Sequence, residues 1–250
     1  MDKLILEAIK LNPRVMEYLT LPQRIEARKA APLTRDELER RLAKGIGIVE
    51  RKYLAILEAN GGLVPYNFWI EYEAELRKQI ASPLRQQIEQ SFTNYSDYVN
   101  FIDQSGAVSD IDTAMTRAID NVAHGVAENS RMQLEALVRQ GISNDEIVER
   151  MALRFSSGHA EQIAVTELTR AEAQFSEALS SRLTEQGVNT QIRWLTSEDE
   201  RVCPICYPLD GKIKKDGGWI TKGGMITSPP AHPNCRCQTT VEITTRRPSG

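Results

Sequence analysis

Residues 1–202 contain no cysteine, and the 250-residue chain holds only four, at positions 203, 206, 235 and 237. A disulfide framework spread over the chain is thereby excluded, and any sulfur chemistry is confined to one late stretch. Histidine is equally scarce, with three residues (His124, His159, His232), so a site built from several imidazoles has few places to form. Aromatics make up 6% of residues, which disfavours a sandwich core and favours packed helices. No apolar run is long enough to span a bilayer, and the N-terminal MDKLILEAIKLNPRV breaks at Asn12-Pro13 before a secretory core is complete. A cytosolic protein without a membrane partner is expected, and in that reducing compartment clustered cysteines serve as metal ligands more often than as disulfides.

The excess of positive charge that would capture nucleic acid over the whole surface is missing too, because the net charge is −3. One local exception stands at residues 24–52, with nine Lys/Arg (Arg24, Arg28, Lys29, Arg35, Arg40, Arg41, Lys44, Arg51, Lys52) against five acids. The simpler reading is a solvated helix face with i,i+4 ion pairs; a surface for DNA or an acidic partner is the alternative.

Residues 1–33 hold two short amphipathic pieces split by Pro13 and Pro22 and read as an arm. Thr34-Arg-Asp-Glu37 is a capping box, after which Leu38, Leu42, Ile46, Val49, Tyr53, Leu54 and Leu57 recur at helical spacing up to Asn60-Gly-Gly62. After Pro65, a second periodic segment carries Phe68, Trp69, Tyr72, Leu76 and Ile80 as far as Ser82-Pro83, and Leu84, Ile88 and Phe92 continue the pattern. Its aromatics lie on one stripe with no basic residues between them, so they read as core and not as a base-stacking platform. Residues 94–107 are the expected hinge. A long helix from Asp110 to about Gln140 comes next, with Met115, Ile119, Val122, Val126, Met132, Leu134 and Leu137. A second capping box, Ser143-Asn-Asp-Glu146, opens a short helix closed at Ser156-Ser-Gly158, and another helix runs from about His159 to Gln186. In that last helix Glu167 and Arg170 share a face; an ion pair is the plain reading and a partner-facing or catalytic carboxylate the sharper one.

Beyond Gly187 the pattern changes. Thr190–Leu195 and Gln238–Thr245 alternate as strands do, and between them lies the cysteine stretch. Cys203-Pro-Ile-Cys206 and His232-Pro-Asn-Cys-Arg-Cys237 supply five donors of the types zinc prefers, for four tetrahedral places. Cys203, Cys206 and Cys235 are assigned as ligands, with His232 and Cys237 competing for the fourth place. Four protein ligands would leave no coordination site for water, so a structural Zn2+ is expected. A thioredoxin-like redox site wants the first cysteine at a helix N-terminus, and Tyr207-Pro-Leu-Asp-Gly211 reads as a turn. A nucleobase deaminase would carry a proline before the pair and a His-x-Glu belonging to it; Val202 precedes Cys203, and no His-x-Glu stands beside the cysteines. An HNH-type nuclease would need more histidines than His232.

Four pieces in this order carry a resemblance: Val165-Thr-Glu-Leu-Thr-Arg-Ala171, Trp194-Leu-Thr-Ser-Glu-Asp-Glu-Arg-Val-Cys-Pro-Ile-Cys206, Leu209-Asp-Gly211, and Pro229-Pro-Ala-His-Pro-Asn-Cys-Arg-Cys237. Over about residues 110–245 the chain resembles the phage Mu F-like minor head protein (head-morphogenesis) family. The resemblance implies a non-enzymatic minor capsid-associated protein of a tailed phage or prophage, acting in procapsid assembly near the portal. It implies the portal protein, the major capsid or scaffold protein, and phage DNA as partners. It also implies residence in the virion head, with the host cytoplasm as the place of assembly. Glu167, Arg170 and Trp194 fall in its motifs and are carried as candidate partner-binding residues. A zinc-dependent nuclease or hydrolase using Glu167 and His232, and a DNA-binding internal virion protein, are the competing functions. The short tail after Cys237 gives no expectation of an appended effector.

The expected fold is mainly α: an N-terminal arm (1–33), a helical docking region (34–107), the helical part of the Mu F-like domain (108–187), a small zinc-stapled α+β unit (188–245) and a tail (246–250).

Overall fold

The computed structural model describes residues 33–99, 104–185, 187–197 and 202–244. The proposed arm at 1–32, the centre of the expected hinge at 100–103, the acidic stretch 198–201 and the tail lie outside them.

Five helices precede the strands among the described residues: α1 (Arg35–Ala59), α2 (Phe68–Val99), α3 (Gln104–Arg139), α4 (Asn144–Arg154) and α5 (Ser157–Glu185). The mainly helical fold read from the sequence is the one found, with a small β region at the C-terminal end. No helix among the described residues is long and apolar enough to cross a membrane.

The Thr34 box is complete: its hydroxyl accepts from Glu37 N–H, and the Glu37 carboxylate accepts from Thr34 N–H at 2.8 Å. The box expected at Ser143 is only half made. Ser143 accepts from Glu146 N–H, but the Glu146 carboxylate turns outward to Arg150 at 2.6 Å. At the start of α5, Ser156 accepts from His159 N–H, so Ser156 opens this helix, and Gly158 lies inside it.

The core is one apolar cluster drawn from all five helices and Val241. The predicted stripe of α1 is fully buried from Leu38 to Leu57 except for Leu54, which packs at its edge. Tyr53, Phe68, Trp69 and Tyr72 meet edge to face at 4.8–5.6 Å, so the aromatics are core, as their spacing implied. Met132, read as an apolar-face residue, is exposed, and so is Leu153 in α4.

Pro83 does not end α2. The helix runs on to Val99 with the proline inside it, and Leu84 and Ile88 stay buried beyond it. A proline removes the N–H that the carbonyl four residues earlier would accept, here that of Gln79. This carbonyl is turned toward α1, where a Cβ placed on Gly45 would lie 3.0 Å from it. The missing side chain at Gly45 lets the two backbones approach at the interrupted turn. Of the expected hinge, 94–99 and 104–107 are helical.

The strands β1 (Thr190–Leu195) and β4 (Gln238–Ile243) pair antiparallel, with Trp194 opposite Thr239. A separate hairpin joins β2 (Trp219–Thr221) and β3 (Gly224–Ile226). A second apolar cluster forms here from Ile192, Trp194, Leu209, Trp219 and three cysteines.

A candidate metal centre and its seat on helix α5

The Cys203–Cys206 segment is a tight turn. The N–H groups of Cys206 and Tyr207 both reach the Cys203 carbonyl, at 3.1 and 2.9 Å, and Cys206 N–H also points at the Cys203 sulfur. The chain then makes a single 3-10 turn, Tyr207–Leu209, too short to supply the helix dipole that redox chemistry at Cys203 would need. On the other side, Cys235 N–H bonds the His232 carbonyl and closes a second turn. Asn234 sits in the left-handed region at φ 61°.

These two turns bring all five sequence-predicted donors together in two overlapping triads, Cys203/Cys206/His232 and Cys206/Cys235/Cys237. The His232 Nε2 lies 3.0 Å from the Cys203 sulfur and 3.3 Å from that of Cys206, and the Cys206 and Cys235 sulfurs are 3.8 Å apart. Thiolates about 2.3 Å from a tetrahedral zinc are separated by about 3.8 Å, so this last spacing is that of two ligands on one ion. The His232 Nδ1 lies 2.8 Å from the Pro233 carbonyl. A carbonyl only accepts, so Nδ1 carries the proton and the Nε2 lone pair faces the thiols, as a metal-binding imidazole requires. The donor set therefore fits a thiophilic divalent cation.

Without a cation the packed thiols compete. Hydrogen bonds from Cys206 and Cys237 hold the Cys235 thiol down at about 2, while hydrogen bonding to Cys235 pushes Cys206 up. A bound divalent cation supplies the charge that lets several thiols ionise together. Cys237 is buried like Cys206 and Cys235; hydrogen bonding with Cys206 lowers its thiol, but Cys235 and burial together push it up to about 12, with Trp194 opposing only weakly.

The family-like residues around the cluster each hold something in place. Trp194 packs edge to face on Trp219 at 5.1 Å, and the Trp219 indole N–H donates to the Lys212 carbonyl. Asp210 accepts from Thr196 N–H and the Thr196 hydroxyl, and Gly211, at φ 70°, returns its N–H to the Trp194 carbonyl. Trp194 is thus a core residue of this unit, with no exposed surface for a partner.

A column of hydroxyls on α5 seats the unit on the helices. Thr166 accepts from Asn234 N–H, Thr169 donates to the Cys235 carbonyl, Ser176 donates to the Thr239 carbonyl, and Ser180 pairs with the Thr190 hydroxyl. Ionic links continue the seam: Arg236 pairs with Asp36 and Glu39 of α1, and Lys214 with Glu177. Sequence reasoning missed these hydroxyls, though Thr166 and Thr169 sit inside the Val165–Ala171 motif. Their signal was a run of small polar residues on the buried face of a helix that also carries Leu168 and Ala171.

Glu167 and Arg170, singled out instead, form an ion pair at 2.9 Å, and Glu167 belongs to neither triad. Burial pushes the Glu167 carboxyl up, with Arg170 working against it. The chain does carry one His-x-Glu, His159-Ala-Glu161, but it stands outside both triads, and the His159 Nδ1 is 3.2 Å from the fully buried Glu50 carboxylate. Neither carboxylate that a metal-dependent hydrolase would use is at the cluster.

Residues 128–240 match the family model described as phage Mu protein F like protein. This stretch is a Mu F-like region. It runs from the C-terminal half of α3 through β4 and contains α5, the hydroxyl column and all five sulfur and imidazole donors. The match points to a phage head-morphogenesis protein. No curated protein and no solved structure matches the chain.

Proposed function

We propose that this is a minor head protein of a tailed phage or prophage, acting during procapsid assembly beside the portal vertex and carried in the virion head. One observation supports the reading above the others: the residues matched to the Mu F-like family are those that build the metal cluster and fasten it to α5. The protein acts by binding, with no bond made or broken. A structural zinc held by Cys203, Cys206, Cys235 and His232 staples the C-terminal unit, and Cys237 packs behind them against Trp194. That zinc would supply charge compensation and cross-linking only; the chain's own hydroxyls orient the unit on the helices.

The experiment is co-expression with the portal, scaffold and major capsid proteins of the same phage, followed by gradient sedimentation. The protein is expected in the procapsid fraction and to co-purify with the portal. Its absence from procapsids and from the isolated portal overturns the reading. Retention on phage DNA that weakens steeply with salt, without portal binding, would favour an internal DNA-binding virion protein instead.

A further inference from the structure

The basic stretch noted in the sequence is divided by the fold. Arg35 pairs with Glu39 and Glu172, and Lys52 with Glu75. Arg40, Lys44 and Arg51 make no ion pair with any described residue. All three line a groove of about 900 Å³ between the first half of α1 and the start of α5, closed at one end by Asn234 and Arg236 of the metal unit. Its floor is small and apolar, with Ala43 and Gly47 from α1 and Ala160 and Val165 from α5. Gly47 is where α1 meets Ala160, and the Arg51 guanidinium lies 3.1 Å from the place a side chain at Gly47 would occupy. The acids at the closed end are already engaged, Asp36 and Glu39 with Arg236 and Glu39 also with Arg35, so Glu161 is the one acid on the walls outside an ion pair among the described residues.

We propose that this groove seats an acidic helical segment of a partner protein. Arg40, Lys44 and Arg51 stand at i, i+4 and i+11 on one helix face, about 6 and 10 Å apart along the axis. A helix laid beside α1 has the same rise, so carboxylates at the same intervals meet all three cations. A floor of glycine and alanine allows the close interaxial approach that helix packing needs. The chain's own N-terminal segment is the poorer match in charge, since residues 1–33 carry six basic residues (Lys3, Lys10, Arg14, Arg24, Arg28, Lys29) against four acids. A nucleic-acid backbone would use the cations but not the apolar floor. The proposal rests on the protein acting by binding, and it concerns a surface other than the metal cluster.

The probe is a fluorescein-labelled, alanine-rich peptide of about 20 residues, long enough for helix, with Glu at the intervals of the three cations. Fluorescence anisotropy with the full-length protein compares it with the same peptide carrying Lys for Glu and with a single-stranded oligonucleotide of equal length. The Glu peptide alone is expected to bind. The combined Arg40→Glu, Lys44→Glu and Arg51→Glu variant should weaken binding by at least about tenfold, and Ala43→Trp, which fills the floor without changing charge, should weaken it as well. Unchanged thermal melts show that both variants fold. No binding of the Glu peptide, tighter binding of the oligonucleotide, or indifference to Ala43→Trp overturns the proposal. Failure here with portal association intact would leave the head-protein reading standing, whereas loss of portal association would remove that reading alone.

Discussion

The Thr169 hydroxyl donates a 2.6 Å hydrogen bond to the Cys235 carbonyl and accepts one of 2.5 Å from Arg35. One buried side chain therefore joins α1, α5 and the metal cluster. This explains why a helical motif and a cysteine motif 66 residues apart occur together: the first is the seat of the second.

Thr169→Val keeps the shape of the side chain and removes both hydrogen bonds. It leaves the Cys235 carbonyl unpaired in a buried site, at a cost of about 1–3 kcal/mol. The melting temperature should drop by about 2–4 °C per kcal/mol, and metal should pass to a chelator faster than from the parent. Arg170→Ala removes the exposed partner of the half-buried Glu167, away from the hydroxyl column, and should change both readings much less. Equal effects from the two substitutions would show that the hydroxyl column is not the seat.

Metal analysis of the purified protein should find one zinc per chain. Cys203→Ser, Cys206→Ser and Cys235→Ser are each expected to empty the site, and His232→Ala to weaken it by at least about tenfold. Cys237→Ser should retain the ion. Chelation should red-shift the emission of Trp194 and Trp219, which are buried in this unit, while the helical signal in circular dichroism persists. Metal lost from Cys237→Ser and kept by His232→Ala would reverse the fourth-ligand assignment.

Much of this was legible in the residues themselves. The i, i+4 apolar steps of α1 and α2 gave the buried stripes, because burial on one face is what a 3.6-residue period encodes. The cysteine spacing gave the donor set, because two tight turns are local events. Three things were not legible. Pro83 is a helix breaker in a stretch whose apolar steps run on through Leu84 and Ile88, and the close approach of Gly45 to the Gln79 carbonyl at the interrupted turn is a contact between helices that no local pattern encodes. Ser143 and Glu146 fit the box pattern, yet Arg150 one turn later offers the carboxylate a charged partner. Thr166 and Thr169 carry no charge and so stand out less than Glu167 and Arg170; which residue of a motif faces a neighbour depends on where that neighbour docks.

Gly45→Ala tests the α1–α2 approach. The new methyl would meet the Gln79 carbonyl at 3.0 Å, so the helices must part, at about 1–3 kcal/mol as for other overpacked sites. Pro83→Ala restores an N–H for that carbonyl and draws it back into the helix. Combined with Gly45→Ala, it should recover part of the loss, giving a coupling of about 0.5 kcal/mol or more in a double-mutant cycle read by urea unfolding. Strict additivity would mean that the glycine and the proline are independent features.

Glu172 predicts how stability depends on pH. Burial pushes its carboxyl up to about 7, against an ordinary value of 4.5, although Arg35 lies 3.3 Å away and works in the opposite direction. Between these two values the folded protein holds a proton that the unfolded chain has released. Stability from this group is therefore complete below pH 4.5 and is lost as pH rises toward 7. The shift corresponds to a loss of about 3 kcal/mol across that window. Glu172→Gln keeps a neutral side chain of the same shape at every pH. Urea midpoints measured from pH 5 to pH 8, on the order of one unit apart, should converge for parent and variant at the acid end. The variant should pull ahead as pH rises, with Glu39 and Thr169 still engaging Arg35. Parallel curves for the two proteins would mean that Glu172 keeps its charge in the folded state and that the Arg35 pairing outweighs burial.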